Sequence, residues 1–341
     1  MSRENSEEEK QLNRVYLITG AAGHLASTTI EKLRKQDCRI RGLILPDEPG
    51  TNDEQITYFR GDVTKPDTLD AFFSGLEDSE AIVIHIAGII SIQDKVSPAV
   101  YNVNVNGTKV ILNKCFQYHV KRLVYVSSVH AIPEPDKIST ITEVDHFSKD
   151  AVEGAYAVTK AEATQLVLDA GKKGLDVVVV HPSGIMGPGD LGRNHLTQLA
   201  QMYLHHKLPM GVRGGYDFVD VRDVADGIIR SAERGRSGEC YLLSNRYVSI
   251  SEFLEFMRVA TGRKSHKGCC PLWLAKAVAP VTEGIAKLQK KRPIFTKYSL
   301  KTMEANGHFC HDKATMELGY HPRDFKDTVA DTISFLVAHN A

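Results

Sequence analysis

Arg14-Val15-Tyr16-Leu17-Ile18-Thr19-Gly20-Ala21-Ala22-Gly23-His24-Leu25-Ala26 is the stretch whose reading decides the fold. Val15 to Ile18 is a short apolar run, as expected of a strand buried on both faces of a parallel sheet. Thr19 to Gly23 turns the chain, and from Leu25 to Leu33 the apolar residues recur at helical spacing. Strand, glycine turn and helix in this order present a helix N-terminus to an anion, the layout that holds a dinucleotide pyrophosphate. Gly20 permits the tight turn and Gly23 lets the backbone approach the phosphates. Ala26 is small enough for the helix to pack close to the strand.

Working outward, the 341 residues suffice for one large α/β domain with a smaller appended lobe. Lys plus Arg and Asp plus Glu number 42 each, so no global basic field exists for nucleic acid. The hydrophobic fraction of 42% is that of a globular protein, and no apolar run is long enough to span a membrane. The six cysteines show no C-x-x-C spacing and suit a reduced, cytoplasmic protein. Cys269-Cys270 with His266 lacks a second ligand pair at zinc spacing, so no metal site is expected. Met1 to Lys10 is polar and acidic and reads as the core of a disordered tail over residues 1–13.

Further strands are predicted at Arg39–Leu45, Ile56–Arg60, Ala81–Ile86, Leu123–Ser127 and Val177–Val180. Helices are predicted between them, one of them long, over Pro98–Tyr118. This alternation implies a doubly wound parallel sheet of Rossmann type, with ligands at the carboxyl ends of its strands. Residues 14–190 are expected to form the nucleotide domain, with 215–245 returning to it. Residues 191–341 are expected to form mainly a substrate lobe. His181–Asp190 reads as a loop at the sheet edge. Pro271–Lys291, apolar but interrupted, reads as a mobile cap over a greasy substrate, in preference to a membrane-surface helix.

Cofactor choice is expected where the second strand ends, at Ile44-Leu45-Pro46. No acidic residue stands there to bond a ribose 2′-hydroxyl, and no arginine to hold a 2′-phosphate. Asp47 and Glu48 follow and would repel a phosphate, whereas Arg39 and Arg41 argue the other way; NAD is favoured over NADP. Asp62 is placed to accept from an adenine amino group, the alternative being a helix cap. Ala87-Gly88 lets backbone lie against the cofactor. His85, between isoleucines, reads as a core histidine.

Tyr156 and Lys160, four residues apart, share one helical face. A phenol near its ordinary pKa of about 10 is a poor base at neutral pH, and a neighbouring ammonium lowers it. Ser128, at a strand's carboxyl end, can donate to a substrate oxygen. Alternation lets only one of Ser127 and Ser128 face the cofactor.

Together these motifs resemble the extended short-chain dehydrogenases/reductases. The likeness rests on Thr19-Gly20-x-x-Gly23-x-x-Ala26, Asp62-Val63, Asn104-Val105-x-Gly107-Thr108, Ser128, Tyr156 and Lys160, Pro182 to Pro188, and Val221 to Val224. It departs in Ala26, where a third glycine is usual, and in lacking an acidic or basic residue at Ile44-Leu45. The resemblance implies Ser128, Tyr156 and Lys160 as the catalytic set, with Asn104 supporting. It implies cofactor contacts from Thr19, Gly20, Ala22, Gly23, His24, Leu25, Asp47, Asp62, Val63, Ala87, Gly88, Pro182 and Ile185, as well as from Tyr156 and Lys160. His130, Ser183, Met186 and Tyr216 are candidate substrate contacts. His181 to Pro188 look most like dihydroflavonol reductases and hydroxysteroid dehydrogenases, which implies a bulky apolar alcohol or ketone. A nucleotide-sugar epimerase or dehydratase, using Arg193 and Arg213, is the alternative. A cofactor-sensing regulator would lack the Tyr and Lys pair. A homodimer is expected through the helices at 98–118 and 154–170, with Val103, Val110, Phe116, Ala163 and Leu166 facing outward.

Overall fold

The computed structural model describes residues 14–136, 138–192, 194–208, 210–264, 268–278 and 304–340. The tail over 1–13, Lys137, Arg193, His266 and the second half of the expected cap lie outside the described residues. In chain order the strands are β1 (Arg14–Thr19), β2 (Arg39–Ile44), β3 (Ile56–Arg60), β4 (Glu80–His85), β5 (Arg122–Val126) and β6 (Val177–Pro182). Then follow β7 (Gly184–Met186), β8 (Gly211–Val212), β9 (Gly215–Asp220), β10 (Cys240–Leu243), β11 (Arg246–Ser249) and β12 (Cys269–Cys270).

The main sheet runs β3-β2-β1-β4-β5-β6-β10, and every pairing in it is parallel. Alternation along the strands builds two cores. Val15 and Leu17 face the helices Thr108–Gln117 and Ala155–Gly171, together with Val83, Leu123, Val177 and Val179. Tyr16 and Ile18 face His24–Leu33 and Val221–Arg234, with Ile84, Val124 and Val180. Residues 177–180 are four consecutive valines because the strand they form is buried on both faces. The strand order reverses at β1 and β4, so the crevice outside their carboxyl ends is where a ligand is expected in such a sheet.

The long helix expected over Pro98–Tyr118 is interrupted. Pro98–Tyr101 is followed by a wide, π-type turn at Asn102–Gly107 before the helix resumes at Thr108–Gln117. Such turns displace side chains from the regular helical face and concentrate at functional sites. Here the turn coincides with the polar run Asn104-Val105-Asn106. His181–Asp190 is likewise not all loop, since β7 pairs with β9 in a second sheet of order β11-β9-β7. β8 and β12 form a two-stranded pair.

Val221–Arg234 begins on a bonded cluster that ties in the C-terminal helix Phe325–Ala338. Arg323 chelates Asp223, and Arg222 bridges the fully buried Asp220 to Asp331. Of the five residues expected on the dimerisation face, Ala163 is wholly buried in the core. Phe116 is exposed, and Val103, Val110 and Leu166 are partly buried against the core. Among the described residues no helix is long and apolar enough to cross a membrane.

Candidate active site

Gly20 has φ +68, a conformation that L side chains rarely adopt, and a Cβ there would sit 3.0 Å from the Cα of Ala87. The turn therefore presses backbone to backbone on the segment leaving β4. Gly23 closes the turn through its N–H to the Gly20 carbonyl at 2.9 Å and stands at the N-cap of His24–Leu33. No side chain caps that helix and no carboxylate stands in its first turn. Its amide donors and positive dipole end suit a pyrophosphate, so the residues present fit a dinucleotide. Ala22 and Leu25 flank this turn. The third residue after Gly20 in the turn is followed by His24, whose Nε2–H donates to the Pro188 carbonyl at 2.9 Å and so crosses to the loop after β7.

At the end of β2, where the adenosine is expected, Leu45, Pro46 and Asp47 are exposed, and Glu48 accepts from the Leu45 N–H. Arg39 and Arg41 are spent elsewhere, on Ser79 and on the carbonyls of Phe72, Ser74 and Gly75. They therefore give no support to a 2′-phosphate site. Arg60 is the guanidinium at this edge, holding the carbonyls of Pro46 and Glu48. Asp62 accepts from the N–H and hydroxyl of Thr64, and the following helical turn is capped at Lys65, so Asp62 is not its cap. Val63 is buried beside Gly107.

The residues expected to be catalytic gather at the carboxyl end of β5. Lys160 is buried, and its Nζ donates to the Val126 carbonyl at 2.7 Å and to the Tyr125 hydroxyl at 3.4 Å, lying 4.8 Å over the Tyr125 ring. Burial pushes its ammonium down to about 7. Tyr156, one turn earlier on the same helix, is half-buried and edge-on to His130 at 6.1 Å. Ser128 accepts from the His130 N–H, while Ser127 points away to Thr164, as strand alternation requires. Asn104 accepts from the Ile89 N–H at 2.7 Å and donates to the Ile89 carbonyl and to Thr159, the neighbour of Lys160. A Cβ at Gly88 would lie 3.3 Å from Asn104 Oδ1 and 3.6 Å from Lys160 Nζ, so Gly88 closes this cluster.

Of the candidate substrate contacts, His130 and Tyr216 stack at 5.5 Å, with Phe309 edge-on to Tyr216. Met186 is wholly buried in the core and packs there rather than lining a cleft. Ser183 is buried too, its hydroxyl donating to Asp217. Ile185 packs partly buried against the core of the His24–Leu33 face, and Pro182 ends β6.

Two residues escaped the sequence reading. Tyr125 carries Lys160, and β-strand alternation with Ser127 is the signal that places it on that face. His181, fully buried, donates from Nδ1 to the Ser128 carbonyl at 2.9 Å and stacks on Phe147. Nothing in the sequence marks it except its position at the end of a four-valine strand.

The signature of the NAD dependent epimerase/dehydratase family matches residues 16–244. The chain belongs to that family. It is an NAD-dependent oxidoreductase of the extended short-chain type. The chain is 28% identical over 330 residues to a protein named putative dihydroflavonol 4-reductase from Synechocystis sp., covering 95% of each chain. It is 28% identical to 3 beta-hydroxysteroid dehydrogenase type 7 of Mus musculus, covering 90% of this chain and 91% of the relative. The crystal structure of gox2253 superposes with a TM-score of 0.80 at 28% identity, covering 96% of this chain and 99% of that one. UDP-glucose 4-epimerase of Thermotoga maritima, at a TM-score of 0.75 and 19% identity, shares the fold.

Proposed function

We propose that the protein transfers a hydride between NAD and a bulky, largely apolar alcohol or ketone, with Tyr156 as general acid and base. The bound cofactor supplies or accepts the hydride. Tyr156 gives its phenolic proton to the nascent alkoxide, or takes it from an alcohol. Lys160 stabilises the phenolate by its charge, and Tyr125 and the Val126 carbonyl hold that charge at the end of β5. Ser128 accepts a backbone N–H through its oxygen, which leaves its proton to donate to the substrate oxygen.

The observation that carries the apolar reading is how the arginines of the C-terminal lobe are used. A sugar diphosphate needs guanidinium partners. Among the described residues, Arg222 and Arg323 are held by aspartates, Arg246 and Arg258 by glutamates, and Arg263 by the carbonyls of Tyr203 and Leu204, while Arg213 is exposed. Beside Tyr156 stands His130, which stacks on Tyr216, and Phe309 meets Tyr216 edge-on, so a run of aromatic rings leads away from the phenol. The helical segment 272–278 turns Leu272 and Ala275 toward Val212 and leaves Trp273 71% exposed, as a cap awaiting an apolar ligand would. The names of the reductase and steroid dehydrogenase relatives agree with this reading.

Calorimetry with NAD present tests it. UDP-glucose should give no binding heat. Micromolar affinity, lost on Arg213→Ala, would move the assignment to a nucleotide-sugar enzyme. In the same reading residues 14–190 hold the cofactor and 191–341 mainly the substrate. The protein is cytoplasmic, in keeping with its free cysteines. It is a homodimer through the helices on either side of Asn102–Gly107 and Ala155–Gly171, which light scattering at micromolar concentration would show as twice the chain mass.

A further inference from the structure

We propose that His85 is a positioning residue, locked as its Nε2–H tautomer between Thr19 and Thr108, through which the glycine turn fixes Asn104 and Lys160. The proposal rests on the reading of Asn104 and Lys160 as active-site groups. The hydrogen bonds assign every proton. Thr19 Oγ1 accepts from the N–H groups of Ile86 and Ala87, both at 3.1 Å, which uses both of its lone pairs. Its own hydrogen is left for His85 Nδ1, at 2.7 Å. Nδ1 is therefore the acceptor and the imidazole proton sits on Nε2, which donates to Thr108 Oγ1 at 3.2 Å. Thr108 in turn donates to the Asn104 carbonyl at 2.7 Å.

That last bond has a local cause. Inside the wide turn the Thr108 N–H reaches the Val105 carbonyl, and the hydroxyl serves the carbonyl of Asn104 instead. Asn104 in turn donates from its side-chain amide to Thr159 at 3.1 Å, so the chain reaches the neighbour of Lys160 on the helix that carries the buried ammonium. Thr19, His85, Asn104 and Thr108 are each at most 1% exposed, so no solvent molecule substitutes for a lost partner. The reverse tautomer would give Thr19 a third donor for two lone pairs and would strip Asn104 of its carbonyl bond. Burial and the nearby Lys160 charge hold the ring neutral, pushed down to about 3.

The unliganded protein tests this without a substrate. Nitrogen NMR of histidine-labelled protein, with the His85 signals assigned by their loss in His85→Asn, should show Nε2–H and no titration from pH 5 to 8. Thr19→Val, at the far end of the chain, should shift the side-chain amide resonance of Asn104. An Nδ1–H tautomer, titration within that range, or an unmoved Asn104 signal would overturn the proposal. Kinetics add a second arm. Thr108→Val should lower kcat about tenfold or more, since small misplacements of active-site groups are costly, with KM and NADH affinity within twofold, and Thr108→Ser should restore it. Equal losses of kcat and NADH affinity together with thermal stability would mark the chain as merely structural. Absence of NADH binding in the unmutated protein would defeat the functional reading instead, and would leave the tautomer result standing.

Discussion

Lowering the pH from 7 to 5 should destabilise this protein through its buried imidazoles. His85 and His181 are both inaccessible to solvent, and burial pushes them from 6.5 down to about 3 and about 4. A histidine depressed in the folded state binds its proton more readily when unfolded. Its stabilising contribution is present above pH 6.5 and is lost as the pH falls from there toward the folded value. Each pH unit in that window costs about 1.4 kcal/mol per group, so pH 5 removes roughly 2 kcal/mol for each histidine. Asp217 acts in the opposite sense. Burial raises its carboxyl from 3.8 to about 6, so the folded state takes up a proton first and returns about 1 kcal/mol by pH 5. The net expectation is a loss of about 2–3 kcal/mol, a large share of the 5–15 kcal/mol typical of a domain. His130 is partly exposed, so water screens it and it adds less. Urea unfolding at pH 7 and pH 5 measures the difference directly. Equal or greater stability at pH 5 would refute the neutral, solvent-excluded state of these two rings.

Tyr156→Phe should lower kcat by about 10²–10⁴-fold with NADH affinity nearly intact, read by steady-state kinetics and NADH fluorescence; near-normal turnover would remove Tyr156 from the chemistry. Lys160→Met should weaken both turnover and NADH binding, because in the proposed function its ammonium serves both the phenol and the ribose. Gly20→Ala should cost about 1–2 kcal/mol from its left-handed backbone alone, with weaker NADH binding as the turn lifts off Ala87, seen by thermal unfolding and titration. Asp223→Ala should cost about 2–3 kcal/mol in chemical denaturation, since it removes the hydrogen-bond acceptor of the Arg323 guanidinium and N–H and leaves only the Asp220 carboxylate at 3.7 Å.

The nucleotide half of the fold was legible because its signals are local. Four β-branched valines at 177–180, too few for a helix and closed by Pro182, point to a doubly buried strand, and Gly20 and Gly23 flank a turn that few other residues tolerate. The Tyr156 and Lys160 pair was legible for the same reason, since helical spacing fixes its geometry. The wide turn at Asn102–Gly107 was visible only as misplaced polarity, because no propensity distinguishes a π-type turn from a poor helix. The burial of Met186 and Ser183 was not legible because their neighbours Gly184 and Gly187 read as loop, whereas β7 is made by its pairing with β9, more than 30 residues away. The roles of His85, His181 and Tyr125 depend on partners from other strands and helices, and no sequence window holds both ends of those hydrogen bonds.

The central claim is most directly tested by following NADH oxidation with a panel of steroid and flavonoid ketones alongside nucleotide sugars. The account predicts NADH-dependent reduction of at least one apolar ketone, abolished in Tyr156→Phe. Turnover confined to a nucleotide sugar, or NADH oxidation that survives in Tyr156→Phe, would contradict it.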